Sequence, residues 1–136
     1  MNAKSTKIVA LVLMVLGALM VVAGATTYSM VSSQLQAERI TVSQDSDKYA
    51  GEAVAGPFTA YQEAIMIEKH ALAATDGKTY AELDREDPLR GTAMNGSFLR
   101  ASLFTSVVSF GVSALVMGVG LMFFLSGLAT RSLVKV

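Results

Sequence analysis

Cysteine and tryptophan are absent from the 136-residue chain, and charge is scarce, with only 16% of residues Asp, Glu, Lys or Arg. Without cysteine there is no disulfide scaffold, CxxC redox site, thiolate zinc site or cysteine nucleophile. The charged fraction lies well below the roughly one quarter typical of soluble globular chains, which argues against a highly charged disordered segment. Eleven Lys and Arg balance eleven Asp and Glu, so the formal net charge is zero. A neutral chain lacks the basic footprint of a nucleic-acid binder. The motifs GxSxG, HExxH and the P-loop are missing, and with them a nucleophile, a base and a phosphate cradle. At this length the chain holds one ordinary domain at most.

What is present is apolar, at 52% of residues, and it is concentrated. Residues 8–37 and 101–130 carry no Asp, Glu, Lys, Arg or His. A hydrocarbon core about 30 Å thick takes roughly 20 apolar residues as helix, because lipid offers backbone amides no partner. The pattern predicts an all-α membrane protein: a cytoplasmic tail at 1–7, a first transmembrane helix at 8–27, a mostly helical extracytoplasmic segment at 28–102, a second transmembrane helix at 103–127 and a cytoplasmic tail at 128–136. Lys4 and Lys7 before an apolar run, with Ala23-Gly24-Ala25 after it, also match a cleavable signal peptide. The expectation is an uncleaved anchor. Lys4 and Lys7 on one side of the first span, against only Arg39 at some distance on the other, put the amino terminus in the cytoplasm. Arg85, Arg90 and Arg100 oppose Arg131 and Lys135 at the second span, but long loops translocate largely regardless of charge. Both ends are therefore expected inside the plasma membrane.

The segment between the spans holds all eleven acidic residues and seven basic ones. Tyr28, Val31 and Leu35 at helical spacing extend the first helix beyond the headgroups. TVSQDSDKYAGEAVAG reads as irregular. After Gly56-Pro57, Thr59 and Gln62 form a capping-box pattern. Phe58, Tyr61, Ile65 and Leu72 then mark an amphipathic helix to about Ala74, with Glu63 and Lys69 on its wetter side, stopped by Asp76-Gly77. Thr79 and Glu82 predict a second capping box, for a short helix ending before Pro88. About 75 residues without disulfides bury little apolar surface against chain entropy. Helices lying on the outer membrane surface or on another protein are expected.

Each chemical possibility is weak. Asp45-Ser46-Asp47 opens like a calcium loop, but Ala50 stands where glycine makes the turn and Gly56 where a bidentate Glu belongs. His70 is the only histidine, and Glu63 precedes it by two helical turns, about 10 Å. No ionisable residue lies in either span, which leaves no proton relay or ion path within this chain alone. No catalytic, cofactor or metal site follows. Two repeats of small residues do stand out: Ala10, Gly17 and Gly24, and Ser106, Ser113, Gly120 and Gly127. Such stripes let helices approach closely in lipid. They pair the two spans with each other or present a face to a neighbouring protein. Candidates for partner docking are Phe58, Tyr61, His70, Asp84, Arg85 and Glu86.

At AERITVS, AGPFTAY, EKHALAATDGKTYAELDREDP and SFLRASLFTSVVSFGV the chain resembles a family of small two-span membrane proteins of Actinobacteria. Members often carry the label of aromatic ring-opening dioxygenase. Extradiol chemistry needs iron held by two His and a carboxylate, which a lone His70 does not provide, so no enzyme is expected. Proteins of this kind resemble accessory subunits of the cytochrome bcc–aa3 respiratory supercomplex. The resemblance implies a non-catalytic, cofactor-free subunit contacting lipid and other membrane proteins, cytochrome bcc and aa3 oxidase subunits among them, with no nucleic acid or small-molecule substrate. The alternative is an independent envelope protein, a homo-oligomer or small binding module with no respiratory role.

Overall fold

A computed structural model describes residues 3–133; Lys135 and the outermost residues of both expected tails lie outside them. Among the described residues the protein is all-helical, with three helices, α1 (Ala3–Ala37), α2 (Pro57–Ala74) and α3 (Arg90–Leu133), and no strand. α1 and α3 are both long and apolar enough to cross a membrane. The chain forms two compact units, one of residues 1–30 with 110–136 and one of residues 31–109, so α1 and α3 contribute to both.

The first unit is an antiparallel helix pair whose seam is small residues. Ala10, Gly17 and Gly24 are buried on α1, and Phe110, Ser113, Gly120 and Gly127 on α3. A spacing of seven keeps such a seam facing its partner as helices wind about each other. A Cβ on Gly120 would stand 2.8 Å from the Gly17 carbonyl, one on Gly24 2.8 Å from the Ser113 carbonyl, and one on Gly127 2.7 Å from the Ala10 carbonyl. Those distances are shorter than real Cβ contacts, so only glycine permits this approach. Tyr28 and Phe110 close one end of the seam, ring centroids 4.6 Å apart. Hydroxyls off the seam bond inward: Thr26 donates to the Val22 carbonyl, Thr27 to Ala23 and Thr130 to Ser126. The outer faces, Leu11, Val15, Leu19 and Val22 on α1 and Val112, Leu115, Met122 and Leu125 on α3, remain exposed.

The second unit is built on α2 and the adjoining ends of the long helices. Leu35 from α1, Ala60, Ala64 and Met66 from α2, and Ala93 and Leu103 from α3 form its core with Val42, Val54 and Leu83. The segment expected outside the membrane thus gains a core that its own length does not provide, by incorporating turns of both long helices. Residues expected to be irregular are more ordered. Val54 donates to the Ile40 carbonyl at 2.9 Å and Val42 to the Glu52 carbonyl at 2.8 Å, around a Thr41–Ala53 bridge. These bonds turn Val42 and Val54 inward.

Two local expectations change and a third holds. α2 is capped at Gly56, not Thr59: the Thr59 hydroxyl accepts the Gly56 and Ala55 amides at 3.2 Å, because Pro57 at the first helical position needs no amide partner. Thr79 and Glu82 do bond, the Glu82 carboxylate accepting the Thr79 amide and hydroxyl at 2.8 Å. They close a turn, and no helix follows before Pro88. The predicted stop at Asp76-Gly77 is present: both residues have positive φ, and the Gly77 amide donates back to the Leu72 carbonyl at 2.8 Å.

Candidate contact surface

The polar side of α2 holds the preceding loop. Glu63, expected on the wet side, is only 7% exposed. Its carboxylate accepts the Ser43 amide at 2.8 Å and the Ser43 hydroxyl at 3.1 Å. Gln62 donates to the Ser46 hydroxyl at 2.9 Å instead of capping the helix. Two helical turns further, Lys69 Nζ and His70 Nε2 reach the Asp45 carboxylate at 2.9 and 3.1 Å, all three side chains about half exposed. A carboxylate only accepts, so the His70 Nε2 carries the proton. The hydrogen bond from Lys69, then that from His70, hold the Asp45 carboxyl down at about 2. The Thr79 amide and hydroxyl likewise lower Glu82. Asp45 therefore serves as a clasp between loop and helix. Among the described residues no group of three His, Cys, Asp or Glu is placed to hold a metal ion.

The opposite side of α2 meets α3. Tyr61 packs edge-on to Phe104 at 5.8 Å, Glu68 pairs with Arg100 at 2.9 Å, and Gly96 lies against Ala71. The two helices thus run antiparallel, with rising number on α2 matching falling number on α3. Arg100 also lies over the Phe104 ring at 5.3 Å, and its buried Nε has no hydrogen-bond partner. Beside it is a cavity of about 60 Å³ lined by Glu68, Ala71, Thr75, Tyr80, Gly96 and Arg100. It has room for about two waters and is far below the size of an organic substrate site. Arg90 stacks on Tyr80 at 4.0 Å and donates to the Leu83 carbonyl, fixing the turn that enters α3.

Of the seven residues singled out for helix packing, Ala10, Gly17, Gly24, Ser113, Gly120 and Gly127 lie buried in the seam of the first unit. Ser106 lies in the second unit, half-buried, in a hollow with Leu35 and Ser102. The stripes meet each other, which leaves them no free face for a neighbour. Among the docking candidates, Phe58 is 73% exposed and Tyr61 about half. The apolar face read from Phe58, Tyr61 and Ile65 points outward, because small Ala60 and Ala64 take the packed face. Asp84, Arg85 and Glu86 line an open hollow in the turn before Pro88. His70 is engaged by Asp45.

Met94 and Phe98 belong to none of the patterns evident in the sequence. They stand one turn apart on α3, and Phe98 is 74% exposed. The available signal is an i, i+4 pair of large apolar residues within the polar run MNGSFLR. It is invisible to a search for long apolar stretches. In the first unit, Lys7 and Arg131 line one hollow with Leu11 and Met14, so the basic ends of the two helices lie together. No family model matches the chain, nor does any curated protein or solved structure.

Proposed function

We propose that the protein crosses the plasma membrane twice as a helical hairpin, with both termini cytoplasmic, and acts as a non-catalytic accessory subunit of a larger membrane complex. Insertion is supported by what the helix pair leaves uncovered. In each long helix only 17% of the most apolar window is buried, whereas the core helix of a soluble protein is mostly buried. An apolar surface of that extent needs an apolar medium. The inward bonding of the Thr26, Thr27 and Thr130 hydroxyls leaves that surface fewer polar groups to solvate.

The observation that carries the subunit reading is the Met94–Phe98 pair. Both lie on the water side of Arg100, the residue at which charge ceases on α3, where lipid does not cover them. Large exposed aromatics in an aqueous zone are typical of protein contact sites. The resemblance described above points to the actinobacterial bcc–aa3 respiratory assembly as the complex. In this role the chain carries no electrons. Its outer unit braces neighbouring extracytoplasmic domains through Met94 and Phe98, and its helix pair fills a groove between larger subunits and lipid.

Purification of the tagged chain from native membranes in mild detergent, followed by native mass measurement, tests this. Co-migration with haem-containing subunits is expected, with loss of that association on Phe98→Ser. A monomer or homo-oligomer free of any haem protein overturns the assignment and favours an independent envelope protein.

A further inference from the structure

We infer that the first turns of α2 are a membrane-interface anchor, with Phe58 and Tyr61 seated at the boundary between lipid headgroups and acyl chains of the outer leaflet. The inference rests on the two-span reading and adds a third point of lipid contact, within the segment otherwise assigned to the outside.

Three observations carry it, one along α3 and two within the second unit. The first is depth. Thirty uncharged residues of α3 extend about 45 Å at 1.5 Å per residue, against a hydrocarbon core of about 30 Å, so roughly 7 Å at each end lies among headgroups. Residues 101–105 occupy that outer zone, and Phe104 is one of them. The Tyr61–Phe104 contact puts Tyr61 at the same level, and Phe58, three residues earlier on an antiparallel helix, lies about 4.5 Å deeper.

The second is the coincidence of charge boundaries. On α3 the last charge before the uncharged stretch is Arg100. On α2, residues 57–62 are uncharged, and Glu63 turns inward to Ser43. The first charge that α2 presents outward is Glu68. Glu68 and Arg100 are ion-paired at 2.9 Å, so both helices change from charged to uncharged at one level. The Arg100 guanidinium lies over the Phe104 ring at 5.3 Å and pairs with Glu68, so the cation itself stands where the apolar rings meet the first charged residues.

The third is the residue type at the exposed positions. On the far side of that level, α2 shows Phe58, Tyr61 and Ile65 outward, whereas its packed face is Ala60, Ala64 and Met66. An exposed Phe gains nothing in water. A ring with a polar tip such as Tyr, beside a Phe, is the composition found at both membrane interfaces. Phe58 and Tyr61 are thereby assigned to lipid, and Met94 and Phe98, beyond Arg100, to protein.

The chain has no tryptophan, so a single introduced indole reports its own surroundings. Phe58→Trp, Tyr61→Trp, Phe98→Trp and Leu115→Trp variants are each placed in nanodiscs of phosphatidylcholine brominated either near the ester end or near the terminal methyl of the acyl chain. Leu115 marks the outward face of the membrane helix and Phe98 the aqueous side. Phe58→Trp and Tyr61→Trp are expected to emit to the blue of Phe98→Trp. They should lose more emission to bromine near the ester than near the methyl, and resist iodide. Leu115→Trp should be quenched most by the deeper bromine. If Phe58→Trp and Tyr61→Trp are as open to iodide as Phe98→Trp while Leu115→Trp is quenched by lipid, the anchor is overturned and the two-span reading stands. Iodide access to Leu115→Trp overturns both.

Discussion

Glu63 shows how a single side chain organises its surroundings. It lies among apolar neighbours on α2, and its carboxylate accepts the part-buried Ser43 amide in the second unit. A buried amide deprived of its acceptor costs about 1–3 kcal/mol. Glu63→Ala is therefore expected to lower stability by about that amount, and Glu63→Gln, which keeps an acceptor oxygen, by less. Thermal unfolding in mild detergent measures both, and equal losses would contradict this role for the carboxylate. Asp45 behaves differently because it is half exposed and its partners are screened by water. Its carboxyl is depressed from 3.8 to about 2 in the folded chain. The stability it adds is complete above the ordinary value and is lost as pH falls through the folded one. The difference in melting temperature between the wild type and Asp45→Asn should thus be seen near pH ~5 and vanish toward pH ~2. A difference that persists at the lower pH would show that the clasp does not depend on the charge.

The helix pair of the first unit makes its prediction through glycines of two kinds. Gly17, Gly24, Gly120 and Gly127 face the backbone or side chains of the other helix, whereas a Cβ on Gly118 would meet nothing within 4 Å. Gly120→Leu should therefore destabilise the pair by about 1–3 kcal/mol, as overpacking of a close contact does. Gly118→Ala should be neutral or stabilising by up to about 1 kcal/mol, since it only removes the glycine penalty in a helix. Melting in detergent distinguishes them, and equal effects would deny the seam its role. At this scale the sequence is informative where a pattern repeats. The seven-residue spacing of small residues identifies the contact positions, because backbone approach in lipid requires small side chains along one line. α2 was harder to read. Its apolar residues by size are Phe58, Tyr61 and Ile65, yet the packed face is Ala60 and Ala64, because close helix packing in the second unit selects small residues and sends large ones out. Glu63 departs from its helical pattern for a related reason: its burial depends on Ser43, twenty residues away, and no local periodicity reports that. Thr79 and Glu82 made their hydrogen bonds without a helix, since the bonds of a capping box also close a turn.

For the molecule as a whole, zero net charge conceals a partition. Basic residues sit near the ends of both long helices at one extreme, Lys7 beside Arg131, and all the acidic residues lie in the segment between. That partition predicts topology by the positive-inside rule. Asp47→Cys, exposed and in a chain with no other thiol, should react with an impermeant reagent applied from outside intact cells and not with one confined to the cytoplasm. The converse labelling would reverse the orientation.

The second unit takes Leu35 from before its loops and Ala93 and Leu103 from after them, so its core is assembled from segments nearly seventy residues apart. During synthesis the loops and α2 emerge well before Ala93 and Leu103 exist. A nascent chain released at residue 89 should therefore hold α2 in a protease-sensitive form. Maturation of the second unit waits for α3 to be made, which ties quality control of the loops and α2 to completion of that helix.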